Sequence, residues 1–196
     1  MSHDCATRPT PMTSSGQSSG GALGEQLRSL LLVLLLALVL RWGVVEPRWI
    51  PSESMLPTLQ PRDRVLVWKL GHRLGREPGR GAIVVFRPPA RLTAGGYDGD
   101  AALIKRVVGL PGDRLAVADG QLQRNGAAVA EPFIAGPMAY ALPPLTVPAG
   151  ELLVLGDNRN ASLDSHLWGP LPEERLIGEA VWRYWPLERF GPLPHG

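Results

Sequence analysis

The sequence has almost no cysteine, few histidines and no dominant charge. Cys5 stands alone among 196 residues, so the chain can close no disulfide on itself and build no thiolate metal cage. The four histidines, His3, His72, His166 and His195, include no His-x-x-x-His pair, so the zinc-hydrolase signature is missing and neither metal nor cofactor is expected. Lysine plus arginine (20) nearly balances aspartate plus glutamate (18). That leaves no basic excess of the kind a phosphate backbone demands, and nucleic acid is not expected as a partner. Helical periodicity is also missing after residue 50, while glycine (23) and proline (20) exceed a fifth of the chain. This excludes a helical bundle and favours short strands joined by many turns, in one domain of ordinary size.

What the chain does have begins with a mean hydropathy near zero that averages two unlike parts. Residues 1–26 are rich in Ser, Thr, Gly and Pro at first and show no apolar period, which reads as a disordered tail. Leu30 to Leu40 then runs without a polar side chain. Extended to residues 27–45, the segment spans about 28 Å as a helix, close to the ~30 Å of a hydrocarbon core. Its charges, Arg28 and Arg41, lie towards the ends, where long side chains reach the headgroups. Trp42 and Trp49 suit an interfacial belt. A cleaved leader needs a small-x-small site, whereas RWGVVEPRWIP is bulky. A buried core helix needs a polar stripe. One uncleaved transmembrane helix over 27–45 is the expectation, and the flanking charges are too balanced to orient it.

Residues 46–196 change to short β-rich runs: Arg64–Leu70, Ala82–Phe86, Ala102–Val108, Arg114–Val117, Gln121–Arg124, Glu151–Leu155 and Gly178–Trp185. Turn formers such as PGRG, GLPGD and Asn125-Gly126 separate them. Pro88–Ala101 reads as a loop without an assigned role. The expected fold is mainly β, a partly open antiparallel β-barrel or sandwich behind one N-terminal transmembrane helix.

Lys105 stands in an apolar strand, ALIKRVV, next to Arg106. Alternation puts the two cations on opposite faces. One of them must be an edge charge, a buried partnered charge or a base. A lysine base needs a pKa brought down to about 7–8, which desolvation by apolar neighbours can supply. Such an amine activates a serine hydroxyl without any histidine. The bland alternative is a solvated pair of charges on an edge strand.

Four segments then occur in one order behind the apolar helix: PSESMLPTL from Pro51, RGAIVVF from Arg80, KRVVGLPGD from Lys105 and GDNRNASLDS from Gly156. In order and spacing they resemble the bacterial type I signal peptidases, over about residues 28–192. The resemblance implies Ser54 as nucleophile, Lys105 as general base, and Ser52 with the Ser54 N–H as oxyanion hole. It implies that Ser162 orients the lysine amine and that Asp157, Arg159 and Asp164, with Arg106, hold the surrounding loop. Trp49, Ile50, Met55 and Leu56 are expected to face the membrane. Three positions depart from the family pattern: Ala82 replaces a usual aspartate, His166 a usual arginine, and Glu53 a usual small residue.

The implied activity is removal of signal peptides from secreted preproteins that carry small residues before the cut, with membrane lipid as a further partner. The implied location is the plasma membrane, single-pass, with the catalytic domain on the outer, non-cytoplasmic side. Two alternatives stand beside it. One is a membrane-tethered β-domain that binds secreted polypeptides without cleavage, the other a self-cleaving Ser-Lys protease of the repressor type.

Overall fold

The computed structural model describes the backbone of residues 19–195, and their side chains except at 19–23, 39–42 and 73. The chain divides into two compact units, residues 1–38 and 39–196. Of the expected tail, residues 1–18 lie outside the described residues. The rest is not disordered: helix α1 runs from Ser19 to Gly43. No proline interrupts GGALGEQL, so a helix nucleated in the leucine run extends backwards one residue at a time. At its other end α1 stops at Gly43, and Val45 already belongs to a strand. The part of α1 with described side chains, residues 24–38, is exposed. Among the described residues no helix is long and apolar enough to cross a membrane.

The second unit shows, among its described residues, twelve strands: β1 (Val45–Trp49), β2 (Arg64–Trp68), β3 (Ile83–Phe86), β4 (Leu103–Gly109), β5 (Arg114–Ala118), β6 (Gln121–Arg124), β7 (Ala127–Ala128), β8 (Leu142–Thr146), β9 (Glu151–Leu155), β10 (Leu171–Pro172), β11 (Leu176–Trp185) and β12 (Gly191–Pro192). Three one-turn helices interrupt them, α2 (Leu70–Arg73), α3 (Ala90–Ala94) and α4 (Ser165–Trp168). One sheet has the order β1-β2-β11-β3-β4-β9-β10 with β12 on β11, and a second the order β7-β6-β5-β8. Every pairing is antiparallel. The mainly β expectation holds, and the larger sheet runs from one free edge to another without closing.

The continuous apolar runs lie in the middle of the larger sheet because both of their faces are covered. In β3, Ile83 and Val85 enter one buried cluster with Ile50, Met55, Leu59 and Val67. Val84 and Phe86 enter another with Leu152, Val154 and Trp168. In β9, Leu153 and Leu155 face the second sheet, packing on Leu115, Val117 and Leu122. β4 lies between β3 and β9, so Lys105 and Arg106 are not edge charges. The β4–β9 register shifts between Val107 and Gly109, just past the two cations.

Five expected strands differ at one or both ends: β2 stops at Trp68 because α2 takes over, β3 begins at Ile83, β4 runs from Leu103 to Gly109, β5 ends at Ala118, and β11 begins at Leu176. β1 and β8 were not expected, since Pro47 interrupts the first and Pro143-Pro144 the second. Each pairs on one side only, β1 with β2 and β8 with β5, where proline's missing N–H leaves no ladder bond unmade. The Pro88–Ala101 loop contains α3.

Candidate active site

Ser54 lies in the turn between β1 and β2, and two flanking residues hold that turn from inside. Met55 and Leu59 are fully buried, and Leu59 N–H donates to the Met55 carbonyl at 2.9 Å. Ile50 is buried too, its N–H donating to the Asp63 carbonyl at 2.9 Å while its carbonyl accepts from Arg62 N–H. Ile50 and Met55 therefore face the protein core, which corrects the expectation that they face a membrane. Trp49 is exposed and Leu56 half-buried.

From β4, Lys105 reaches this turn. Its Nζ donates to Ser54 Oγ at 2.7 Å and to the Ile104 carbonyl at 2.9 Å. Lys105 is 3% exposed and Ser54 8%. Burial, which penalises the ammonium form, brings the Lys105 pKa down to about 8, although the charges of Asp164 and Asp157 act in the opposite direction. The geometry joins a nearly dry amine of depressed basicity to a serine hydroxyl, the arrangement in which a lysine can accept a hydroxyl proton near neutral pH. Ser52, more exposed, lies with its Oγ 3.3 Å from Ser54 Oγ.

The loop after β9 forms the opposite wall. Asp157 is fully buried and takes two bonds from Arg106, Nε to Oδ1 at 2.8 Å and an Nη to Oδ2 at 2.7 Å. The same guanidinium donates to the carbonyls of Gly81 and Pro194 and lies 4.1 Å from the centre of the Phe133 ring. Arg106 is thus the buried, partnered cation of the pair. Arg159 donates to the Gly156 carbonyl at 3.0 Å and forks onto Glu131 at 2.8 and 2.9 Å. Asp164 accepts from Gly156 N–H at 2.9 Å and from His166 Nδ1 at 2.7 Å. His166, at a usual arginine position, keeps that carboxylate contact and stacks on Tyr140 at 4.0 Å. The phenol is pushed up to about 12, chiefly by burial. Ala82 is buried and needs no side-chain partner, its carbonyl accepting from Val107 N–H at 2.9 Å.

Ser162 departs from expectation. Its Oγ is buried but has no hydrogen-bond partner among the described residues, while the Lys105 amine spends its bonds on Ser54 and Ile104. Ser162 instead crowds Gly156. A Cβ placed there would lie 2.3 Å from Ser162 Oγ and 2.4 Å from the Ser54 carbonyl oxygen. Only a residue without a side chain lets the loop approach the Ser54 backbone so closely.

Three structural partners were not legible as such. Glu131, 4% exposed at its side chain, pairs with Arg159 from a segment without any motif. Asp113 takes a bidentate bond from Arg80 at 2.9 and 2.8 Å, which holds its carboxyl down at about 2. Asp63, whose two carboxylate oxygens both accept from one Arg189 Nη at 2.9 Å, braces the turn that carries Ser54. Both aspartates follow turn glycines or prolines, a signal shared by many surface turns. Among the described residues no group of three or more His, Cys, Asp or Glu side chains could hold a metal ion.

The family model described as signal peptidase, peptidase S26, matches residues 23–185. A probable signal peptidase I-1 of Synechocystis is 47% identical over 169 residues, covering 86% of each chain. A signal peptidase I of Leptolyngbya laminosa is 44% identical over 191 residues, covering 94% of each. A solved signal peptidase I of Enterococcus faecalis is 29% identical, with a TM-score of 0.46 over 54% of this chain and 97% of that one. With such identity over most of its length, the chain belongs to the signal peptidase family, peptidase S26.

Proposed function

We propose that this signal peptidase removes signal peptides from secreted preproteins with Ser54 as nucleophile and Lys105 as general base. The observation that carries the reading is the 2.7 Å contact between Lys105 Nζ and Ser54 Oγ, both residues being buried. When the amine is neutral the same contact reverses, and the Ser54 O–H donates to the nitrogen lone pair. The bond from Nζ to the Ile104 carbonyl then aims that lone pair. Ser54 Oγ attacks the scissile carbonyl as its proton passes to Lys105. The ammonium returns the proton to the leaving amine, and an ester joins Ser54 to the acyl half. The neutral amine next takes a proton from water, whose oxygen attacks the ester carbonyl, and the ammonium gives that proton to Ser54 Oγ as the C–O bond breaks and the signal peptide leaves as a carboxylic acid. Ser54 N–H and Ser52 O–H supply the oxyanion donors, each such donor being worth about 10²–10³ in rate. Ser162, Asp157, Arg159, Asp164 and Arg106 act as supports of the loop.

An extended substrate along the larger sheet would present alternate side chains to one wall, which fits a preference for small residues at the first and third positions before the cut. We place α1 and its flanks in the plasma membrane as a single-pass anchor, with the catalytic domain on the outer side. Trp49, Trp185, Leu187 and Phe190, all about half-exposed or more, are the side chains suited to meet lipid. Protease added outside intact cells should digest the β unit; its survival there would reverse the sidedness.

Incubating purified enzyme with a preprotein that carries Ala-x-Ala before the mature chain tests the chemistry. Ser54→Ala, Lys105→Ala and Lys105→Arg should each lose more than about 10³ of turnover, the last because guanidinium stays protonated. Turnover retained by a Lys105 variant would defeat the mechanism.

A further inference from the structure

Asn158 touches the nucleophile's backbone twice. Its side-chain Nδ2 donates to the Glu53 carbonyl and its main-chain N–H to the Ser54 carbonyl, both at 3.1 Å. The amide orientation is fixed by its partner, since a carbonyl oxygen can only accept. These two carbonyls belong to the peptide planes on either side of Ser54. One residue therefore pins both planes that determine how the serine is presented.

The plane before Ser54 matters most. A peptide unit is flat and trans, so the Glu53 C=O and the Ser54 N–H point in opposite directions from one rigid plate. Whatever grips the Glu53 oxygen also aims the Ser54 N–H. Leu56 N–H holds the same oxygen at 3.1 Å within the turn, but that bond is local and moves with the turn. The bond from Asn158 comes from the loop after β9, which is anchored by Asp157 on Arg106 and by Arg159 on Glu131. It refers the plate to the rigid sheet.

We propose that Asn158 is a positioning residue that aims the Ser54 N–H at the developing oxyanion. This rests on the reading of Ser54 as nucleophile. It assigns the side-chain amide a role in transition-state binding and none in substrate docking or proton transfer. Displacing a reacting group by a fraction of an ångström is enough to cost rate, and loss of one oxyanion donor sets the upper bound.

Asn158→Ala frees the plate. Asn158→Asp keeps the shape but turns a carboxylate oxygen towards a carbonyl oxygen, and so pushes the plate away. Both are measured in the full chain on an Ala-x-Ala peptide. We expect kcat to fall about 10-fold in Asn158→Ala and up to about 100-fold in Asn158→Asp. KM should stay within about twofold and the midpoint of the rising pH limb should stay unchanged, because the base is untouched. A peptide aldehyde, whose adduct with Ser54 carries the oxyanion, should bind more weakly in proportion to kcat. The cleaved signal peptide should bind as before. Wild-type kcat in Asn158→Asp, or an equal loss of aldehyde and product affinity, overturns the proposal. Ser54→Ala is run beside them. If it retains turnover the nucleophile reading falls, whereas a dead Ser54→Ala with a normal Asn158→Asp sinks only the role of Asn158.

Discussion

Burial places two opposed demands on Lys105. As the proposed base it needs a pKa near working pH, and desolvation brings it from 10.5 to about 8. The same desolvation acts against folding. Between pH 8 and 10.5 the unfolded chain binds the proton that the folded chain has lost, so stability rises with pH across that window. Below pH 8 the full penalty applies, of order 3 kcal/mol; above 10.5 it is gone. Lys105→Met removes the titration while nearly keeping the shape. It abandons two hydrogen bonds, a loss that is the same at every pH. The stability difference, variant minus wild type, should thus be more favourable at about pH 7 than at about pH 10.5, read from thermal or urea unfolding at both. A difference independent of pH would mean that the folded amine titrates like a free lysine. The same burial predicts that kcat/KM rises with pH around 8, whereas a rising limb near the pKa of a free lysine would place the amine in water. Lys105 was legible because it opens KRVVGLPGD, one of four motifs in order; the cation inside ALIKRVV by itself left an edge charge open, which the central place of β4 closes. Glu131 was not, because a glutamate between alanine and proline resembles any exposed loop residue until the fold brings Arg159 to it.

At the scale of elements, the loop after β9 is held to the β1–β2 turn mainly through backbone. Gly156 is the point of closest approach, and a methyl group there would overlap the Ser54 carbonyl and Ser162 Oγ. Gly156→Ala must therefore push the loop outwards, and with it Asn158 and the roof over Lys105. We expect a loss of about 1–3 kcal/mol in stability, the range of overpacking, and a fall in kcat larger than the loss of folded enzyme explains. Circular dichroism melting and active-site titration together separate the two. An unchanged kcat per folded molecule would show that the loop merely covers the site. The central strands β3, β4 and β9 were readable as short β-rich runs between turn formers, while their burial on both faces came only with the fold. The edges were not readable. Pro47 and Pro143-Pro144 argue against a strand on propensity, and only the one-sided pairing of β1 and β8 makes them acceptable. Ile50 and Met55 misled for a related reason. Apolar residues just past an apolar helix look like lipid contacts, yet the turn folds them inwards onto β2 and β3.

For the whole molecule, the proposed function requires that the site be brought to secreted preproteins at a bilayer. The register places Trp49 of β1 opposite Arg64 of β2, and Trp185 of β11 opposite the same Arg64. Directly paired residues share a face of the sheet, so the two tryptophans flank one arginine in a single row. Trp49 is 59% exposed, Trp185 48%, Leu187 67% and Phe190 58%. Tryptophan with arginine is the composition of a headgroup-level contact, the ring accepting the polar and apolar sides of the interface together. The row belongs to the unit 39–196, which has its own buried clusters. A chain trimmed to that unit should cut a short soluble peptide, and phospholipid vesicles or detergent should raise its rate by holding enzyme and apolar substrate on one surface. Trp185→Ser combined with Leu187→Ser should abolish that rise and leave the lipid-free rate within about twofold, since both side chains are about half-exposed or more whereas Ser54 and Lys105 are buried. If vesicles leave the rate of the trimmed enzyme unchanged, this face does not meet lipid, and the proposed membrane contact rests on α1 with its flanks alone.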